Sequence, residues 1–349
     1  MKLGMGHWDD EARRPERRPL WRPAPRRSWP PYALVEEGIA ERAQARLERL
    51  ERLYHVGQEQ AWDGRAVLED LVARHGPPRL PAGRKEPVLK ILSVLLWGEL
   101  AAWAISADLA EQIEDVEAKM AATSQAHDEA RHFYVLRDYV RATGERIPRL
   151  GGLGRRLLIG ILETPSLVHK LIGMQLLVES NALAMFRALV EADVEPVLGA
   201  LLPYYEKDEA RHVGLGVLYL PRLLRGLSTV EAVGAAGFQL RCLAYLMSAG
   251  MLLREDLRAL GIDPRALATH TVKLQDDIVR EMFAGLRAAQ GAGEARARLR
   301  GILNPRHSVG PRILDFVHPP GGDDTAPSWH RAALRLWREG AAVVDRALA

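Results

Sequence analysis

A chain of 349 residues, 48% hydrophobic, has room for a large core in one big domain or two ordinary ones. Its 48 basic and 45 acidic residues leave a net charge of +3, too even a balance for a nucleic-acid-binding composition. The single cysteine, Cys242, rules out an internal disulfide and any thiolate cluster for zinc or iron–sulfur, and it fits a reducing cytoplasm.

Residues 1–32 are basic and Pro-rich, with Trp21 and Trp29 interleaved in "RRPERRPLWRPAPRRSWPPY". Charge plus stacking would suit RNA or an anionic surface. No folded RNA-binding module accompanies it, so it reads as an extended arm and nucleic acid is not the expected partner. Asp9, Asp10 and Glu11 stand early and no continuous apolar segment opens the chain, so no secretory signal is expected. Residues 33–86 read as an N-terminal helical extension, with a charged amphipathic helix from Ala33 to Tyr54 and another around Arg65 to Arg74. The stretch "HGPPRLPAGRKEP" breaks that pattern.

Residues 87–225 read as four long helices: Pro87 to Glu111, Asp115 to Ala142, Thr164 to Ala192, and Pro196 to Arg225. Thr164 is the expected N-cap of the third, with Pro165 in its first turn. The connection between the second and third, "TGERIPRLGGLGRRLLIGILE", is long enough to cross a bundle. Short, long and short linkers give two antiparallel hairpins joined by a crossover, a ferritin-like four-helix bundle. Additional helices are expected over 226–300, and 301–349 reads as a C-terminal tail with a final helix from Ser328. No stretch alternates as a strand does, so the fold class is all-α.

The run "VLKILSVLLWGELAAWAI" comes close to the length of a membrane span, but Glu99 stands near its middle. It reads as a helix buried in a soluble bundle. Glu99 then needs a reason to be there, and a repeated pentapeptide supplies it. "DEARH" occurs at Asp128–His132 and again at Asp208–His212. In each copy Glu and His are three apart (Glu129 with His132, Glu209 with His212), which puts both on one helix face one turn apart. One such pair arises by chance in roughly half of chains this long; two inside identical pentapeptides do not.

Glu99 lies thirty residues before Glu129, and Glu179 thirty before Glu209. Two such residues share a level in an antiparallel hairpin only if the turn falls midway. The midpoints are Glu114, in the polar "EDVE", and Val194, just before Pro196. Both acids sit in apolar runs, where an unpartnered carboxylate is strongly penalised. Four glutamates and two histidines are therefore expected to converge at one level, and four carboxylates balance two divalent cations.

Residues Trp97 to Tyr219, about a third of the chain, resemble the ferritin-like di-iron carboxylate superfamily, and above all its oxygen-activating branch. That branch includes multicomponent monooxygenases, acyl carrier protein desaturases, the ribonucleotide reductase small subunit and an N-oxygenase. The stretch "LYHVGQEQAWDG" is also similar to a segment upstream of the bundle in some members. The resemblance implies two iron ions, with Mn/Fe as a variant. Glu129 and Glu209 would bridge, Glu99, His132, Glu179 and His212 would each hold one metal, and Asp128 and Asp208 would hydrogen-bond the histidine of the opposite half. Arg131 and Arg211 would pair with nearby acids or lie as surface charge.

Departures from individual branches narrow the chemistry. Leu136 stands where reductase small subunits carry a radical tyrosine, although Tyr134 and Tyr205 are near. Ala182 stands where rubrerythrin-type peroxidases carry a further glutamate, and Tyr205 where N-oxygenases carry a further histidine. Ala182 and Leu183 occupy the places of a monooxygenase threonine. A covered pocket lined by Trp103, Leu183, Phe186 and Tyr205 is expected. The resulting expectation is a non-haem di-iron oxidoreductase that uses O2 to hydroxylate, desaturate or N-oxygenate a small or fatty molecule. An electron-donor protein and a homodimer are compatible with it. The alternatives are a ferroxidase without an organic substrate and an RNA-modifying hydroxylase. His55, His75, His127, His169 and His270 read as solvated or structural.

Overall fold

Four rods enclose the centre of the fold, and the described residues contain no strand. The computed structural model describes residues 45–287 and 328–348, all within the unit Arg42–Ala349. The basic arm, the first part of the helix expected from Ala33, and residues 288–327 lie outside the described residues. The elements are α1 Ala45–Glu59, α2 Gly64–His75, α3 Lys85–Gln112, α4 Val116–Ala142, α5 Gly152–Glu163, α6 Leu167–Leu171, a π-helical segment Ile172–Val178, α7 Glu179–Glu191, α8 Pro196–Gly226, α9 Thr229–Leu252, α10 Arg254–Ala259, α11 Pro264–Arg287 and α12 Ser328–Leu348.

The bundle consists of α3, α4, the composite rod α6–π–α7, and α8. The first hairpin turns between Gln112 and Val116, and the second between Glu191 and Pro196, as the midpoint reasoning requires. Local chemistry sets the ends. Asp63 accepts from the Arg65 and Ala66 amides at the start of α2, and Glu195 accepts from the Leu198 amide at the start of α8. Gly144, with φ +75, turns the chain out of α4 in a conformation that side-chain-bearing residues disfavour. Ser228 and Glu231 form a reciprocal capping box at α9.

Three features differ from the sequence expectation. The crossover is itself a helix, α5, whose Leu153, Leu157 and Ile161 are buried. The third rod is capped by Ser166, which accepts from the His169 amide; Thr164 belongs to the end of α5, and its hydroxyl meets His169 Nδ1 at 3.2 Å. That rod is also interrupted by the π segment immediately before Glu179. A π turn adds a residue to the turn and re-aims the side chains beyond it, a device concentrated at functional sites.

The described core is chiefly two clusters. One contains Ile105, Leu109, Ile161, Leu176 and Leu218; the other contains Leu92, Leu136, Tyr139, Phe186 and Tyr205. Along α3, α4 and α8 the crossing from one cluster to the other falls at Glu99, Glu129 and Glu209. Each buried leucine or isoleucine contributes about 1.5–3 kcal/mol, so the apolar layers on both sides offset the desolvation of a polar layer between them. α3 is long and apolar enough to cross a membrane, yet 56% of its most apolar window is buried in the bundle and Glu99 faces the centre.

Candidate metal centre

Six side chains meet at that level: Glu99, Glu129 and His132 from α3 and α4, and Glu179, Glu209 and His212 from α7 and α8. None is more than 5% exposed. Their ligand atoms fall into two groups, each within 4.8 Å: Glu99, Glu129, His132 and Glu209, and Glu129, Glu179, Glu209 and His212. Glu129 and Glu209 belong to both. Glu129 turns Oε1 toward His212 Nδ1 at 2.9 Å and Oε2 toward His132 Nδ1 at 3.7 Å. Glu209 turns Oε1 toward His132 Nδ1 at 3.2 Å and Oε2 toward His212 Nδ1 at 3.0 Å. Each shared carboxylate thus offers one oxygen to each side. Glu99 Oε2 stands 3.3 Å from His132 Nδ1.

The outer nitrogens of the imidazoles are held across the bundle. His132 Nε2 lies 3.0 Å from Asp208 Oδ2, and His212 Nε2 lies 3.4 Å from Asp128 Oδ2. The two arginines of the pentapeptides bind the two aspartates in a closed square. Arg131 reaches Asp128 at 2.6 Å and Asp208 at 2.9 Å; Arg211 reaches Asp208 at 2.5 Å and Asp128 at 3.1 Å. Both guanidinium groups are buried, so they are structural ions and not surface charge.

Burial pushes Glu99 and Glu179 well above the usual carboxylate range. Burial acts the same way on Glu129 and Glu209, but the imidazoles outweigh it and hold both below that range. It would lower His132 and His212, and the surrounding carboxylates raise both instead. Asp128 and Asp208, despite burial, are held low by their histidine partners and the arginines.

The donor set fits a pair of divalent cations. Glu129 Oε2 and His132 Nδ1 are buried with no hydrogen-bond partner. Each outer Nε2 donates to an aspartate, which leaves each Nδ1 lone pair facing carboxylate oxygens. That arrangement is repulsive unless protons or cations stand between them.

Of the expected pocket residues, Leu183, Phe186 and Tyr205 are buried and Trp103 is not. Trp103 is 41% exposed on the outer side of α3, against Phe133, because a run that is apolar nearly all round gives no sign of which face turns inward. Tyr205 stacks on His132 with centroids 4.3 Å apart and meets Phe186 edge-on at 5.7 Å. Leu136 is buried, and Tyr134 leans over Gly64 at the start of α2. Five further histidines stand apart from the centre: His55, His75 and His127 are exposed, His169 stacks on Phe238 at 4.5 Å, and His270 stands 3.5 Å from Arg187.

Three residues near the centre had no place in the ligand pattern. Trp62 Nε1 donates to Asp208 Oδ2 at 2.8 Å, and Arg131 lies 4.8 Å over its ring. Its only signal was the "LYHVGQEQAWDG" segment, whose Gln60 also accepts from Arg211 at 3.2 Å. Gln125 and Gln175 are fully buried beside Glu129 and Glu179, and each stands four residues before one of these acids.

No known protein family and no curated protein matches this chain in sequence. Solved structures do match it in fold. One is an R2-like ligand-binding oxidase with an aerobically reconstituted Mn/Fe cofactor, 17% identical, TM-score 0.52, covering 66% of this chain and 92% of that one. A mutant of such an oxidase with an aerobically reconstituted Fe/Fe cofactor gives the same figures. Another mutant, with Mn/Fe, is 18% identical with TM-score 0.50, covering 66% and 93%. The chain has a ferritin-like all-α fold with extra helices.

Proposed function

We propose that this protein is an oxidase that holds two transition-metal ions, two irons or one manganese and one iron, and uses O2 to oxidise a small or fatty organic molecule. The observation that carries the reading is the meeting of four carboxylates and two imidazoles in a buried layer, with Glu129 Oε2 and His132 Nδ1 left unpartnered. The R2-like oxidases of the same fold carry Mn/Fe or Fe/Fe, which supports the choice of metals.

Glu129 and Glu209 would bridge; Glu99 and His132 would complete one subsite, Glu179 and His212 the other. When bound, such a metal pair supplies the electrons and the positive charge that O2 needs to become an oxidant. The chain's own residues do the rest. Asp208 and Asp128 fix both imidazole tautomers with Nδ1 inward. Leu183 and Ala102 lie buried in the apolar cluster on one side of the layer and Phe186 in the cluster on the other, surroundings that would keep an oxidant from being quenched. Tyr205 donates its hydroxyl proton to the main-chain oxygen of His132 at 2.7 Å and clamps that ring from one side.

The test is to load the chain with Fe(II) without oxygen, admit O2, and follow O2 uptake and product with acyl and aromatic substrates. A limited burst that scales with protein and yields an oxidised organic product supports the reading. Continuous uptake that deposits many irons per chain would replace it with iron storage.

A further inference from the structure

The two halves of the centre repeat at a constant spacing of eighty residues, Glu99 with Glu179, Glu129 with Glu209 and His132 with His212. One pair of positions breaks that symmetry. Four residues before Glu209 stands Tyr205, whose hydroxyl is engaged by the His132 main chain. Four residues before Glu129 stands Gln125, 1% exposed, which turns its amide into the centre. Gln125 Nε2 donates to Glu179 Oε1 at 2.9 Å and to Glu129 Oε1 at 3.3 Å. Both oxygens belong to the His212 side, because Glu129 Oε1 is the one that faces His212.

The amide is itself held. Gln175 Nε2, in the π segment, donates to Gln125 Oε1 at 3.2 Å. Gly216 of α8 permits that approach, since a Cβ there would lie 2.6 Å from Gln175 Cβ. The other subsite has nothing comparable. Among the described residues no amide or hydroxyl group donates to Glu99, and Glu129 Oε2, the oxygen on that side, has no partner.

We infer that Gln125 is a positioning residue, supported by Gln175, that makes the two metal subsites unequal, so that the first cation enters at Glu179 and His212. The inference rests on the two-metal reading of the centre. Glu179, the carboxylate that belongs to that subsite alone, is held before any ion arrives, so less ordering accompanies binding there. At the other subsite Glu99 has no such amide donor, and the incoming ion must itself order it.

The test is an anaerobic titration of the full chain with Co(II), read by visible absorption and calorimetry. The wild type should bind two ions in two resolved steps, the first lost in His212→Ala and kept in His132→Ala. Gln125→Met, which fills the space without a donor, should weaken the first step roughly ten- to a hundredfold, so that the two steps merge. Gln175→Met should shift it in the same direction by less, and it carries the test if Gln125→Met does not fold, with circular dichroism of the metal-free variants as the control. Two wild-type steps that neither variant alters would overturn the inference and leave the two-metal reading standing. A wild type that takes up no Co(II) would overturn both.

Discussion

Asp208 holds His132 from the far side of the bundle, its Oδ2 3.0 Å from the imidazole Nε2, although the two come from different copies of the repeated pentapeptide. The reciprocal pair, Asp128 and His212, closes at 3.4 Å. Each copy thus supplies a shared carboxylate, an imidazole, and the acid that orients the other copy's imidazole. Asp208→Asn keeps an oxygen in place but removes the charge that fixes the tautomer. Metal affinity at the His132 subsite should fall about ten- to a hundredfold. Competition with a chromophoric chelator measures it, and unchanged affinity would refute the role.

Protonation gives a second prediction. In the metal-free chain burial shifts Glu99 and Glu179 toward their protonated forms, and the surrounding carboxylates shift His132 and His212 the same way against burial. All four shifts run toward the protonated form, so protons should be released as divalent ions enter and affinity should rise with pH. Calorimetry in buffers of different ionisation heat counts them; no buffer dependence would contradict the scheme. Stability has a definite sign as well. These four groups have raised folded values, so their contribution to the metal-free chain is full below the ordinary values of 4.5 for the acids and 6.5 for the histidines and is lost as pH rises from there through the raised ones. Glu129 and Glu209, held low, act in the opposite sense, and their contribution is lost only in acid, below their ordinary value of 4.5. The metal-free chain should therefore lose more stability than the loaded chain on the alkaline side.

Trp62 ties the segment before α2 to the centre through one hydrogen bond to a buried carboxylate. Trp62→Phe keeps most of the ring and removes the donor. A loss of about 1–3 kcal/mol in denaturant unfolding is expected. A loss within error would place the holding of Asp208 on His132 and the two arginines.

Cys242 lies 3% exposed in α9, and burial pushes its thiol up to about 11. The native chain should therefore resist a thiol-specific reagent at neutral pH and react once unfolded. Rapid labelling of the folded protein would show that α9 opens.

The convergence of the six side chains was legible because two independent periodicities agreed. The i, i+3 pairs fixed a helix face, and the midpoints at Glu114 and Val194 fixed the level. Both depend on local sequence alone. Trp62 was not legible as a partner of Asp208, because that contact spans 146 residues and is set by how α1 and α2 lie across the bundle. The π segment was not legible either; "IGMQLLV" carries no residue type that marks an extra residue in a turn, and the close approach of its Gln175 to Gly216 joins positions far apart in sequence. Thr164 and Ser166 both flank Pro165 with capping chemistry, and only the end of α5 decides between them. The exposure of Trp103 was hidden for the opposite reason, an apolar run with no polar face to mark the outside.

The most direct measurement is the count of metal per folded chain after anaerobic loading and removal of excess, on the wild type and on the Glu129→Ala/Glu209→Ala double variant. Two tightly held transition-metal ions in the wild type and none in the variant is the predicted result. A wild type that emerges folded and empty, or a variant that retains both ions, would contradict it.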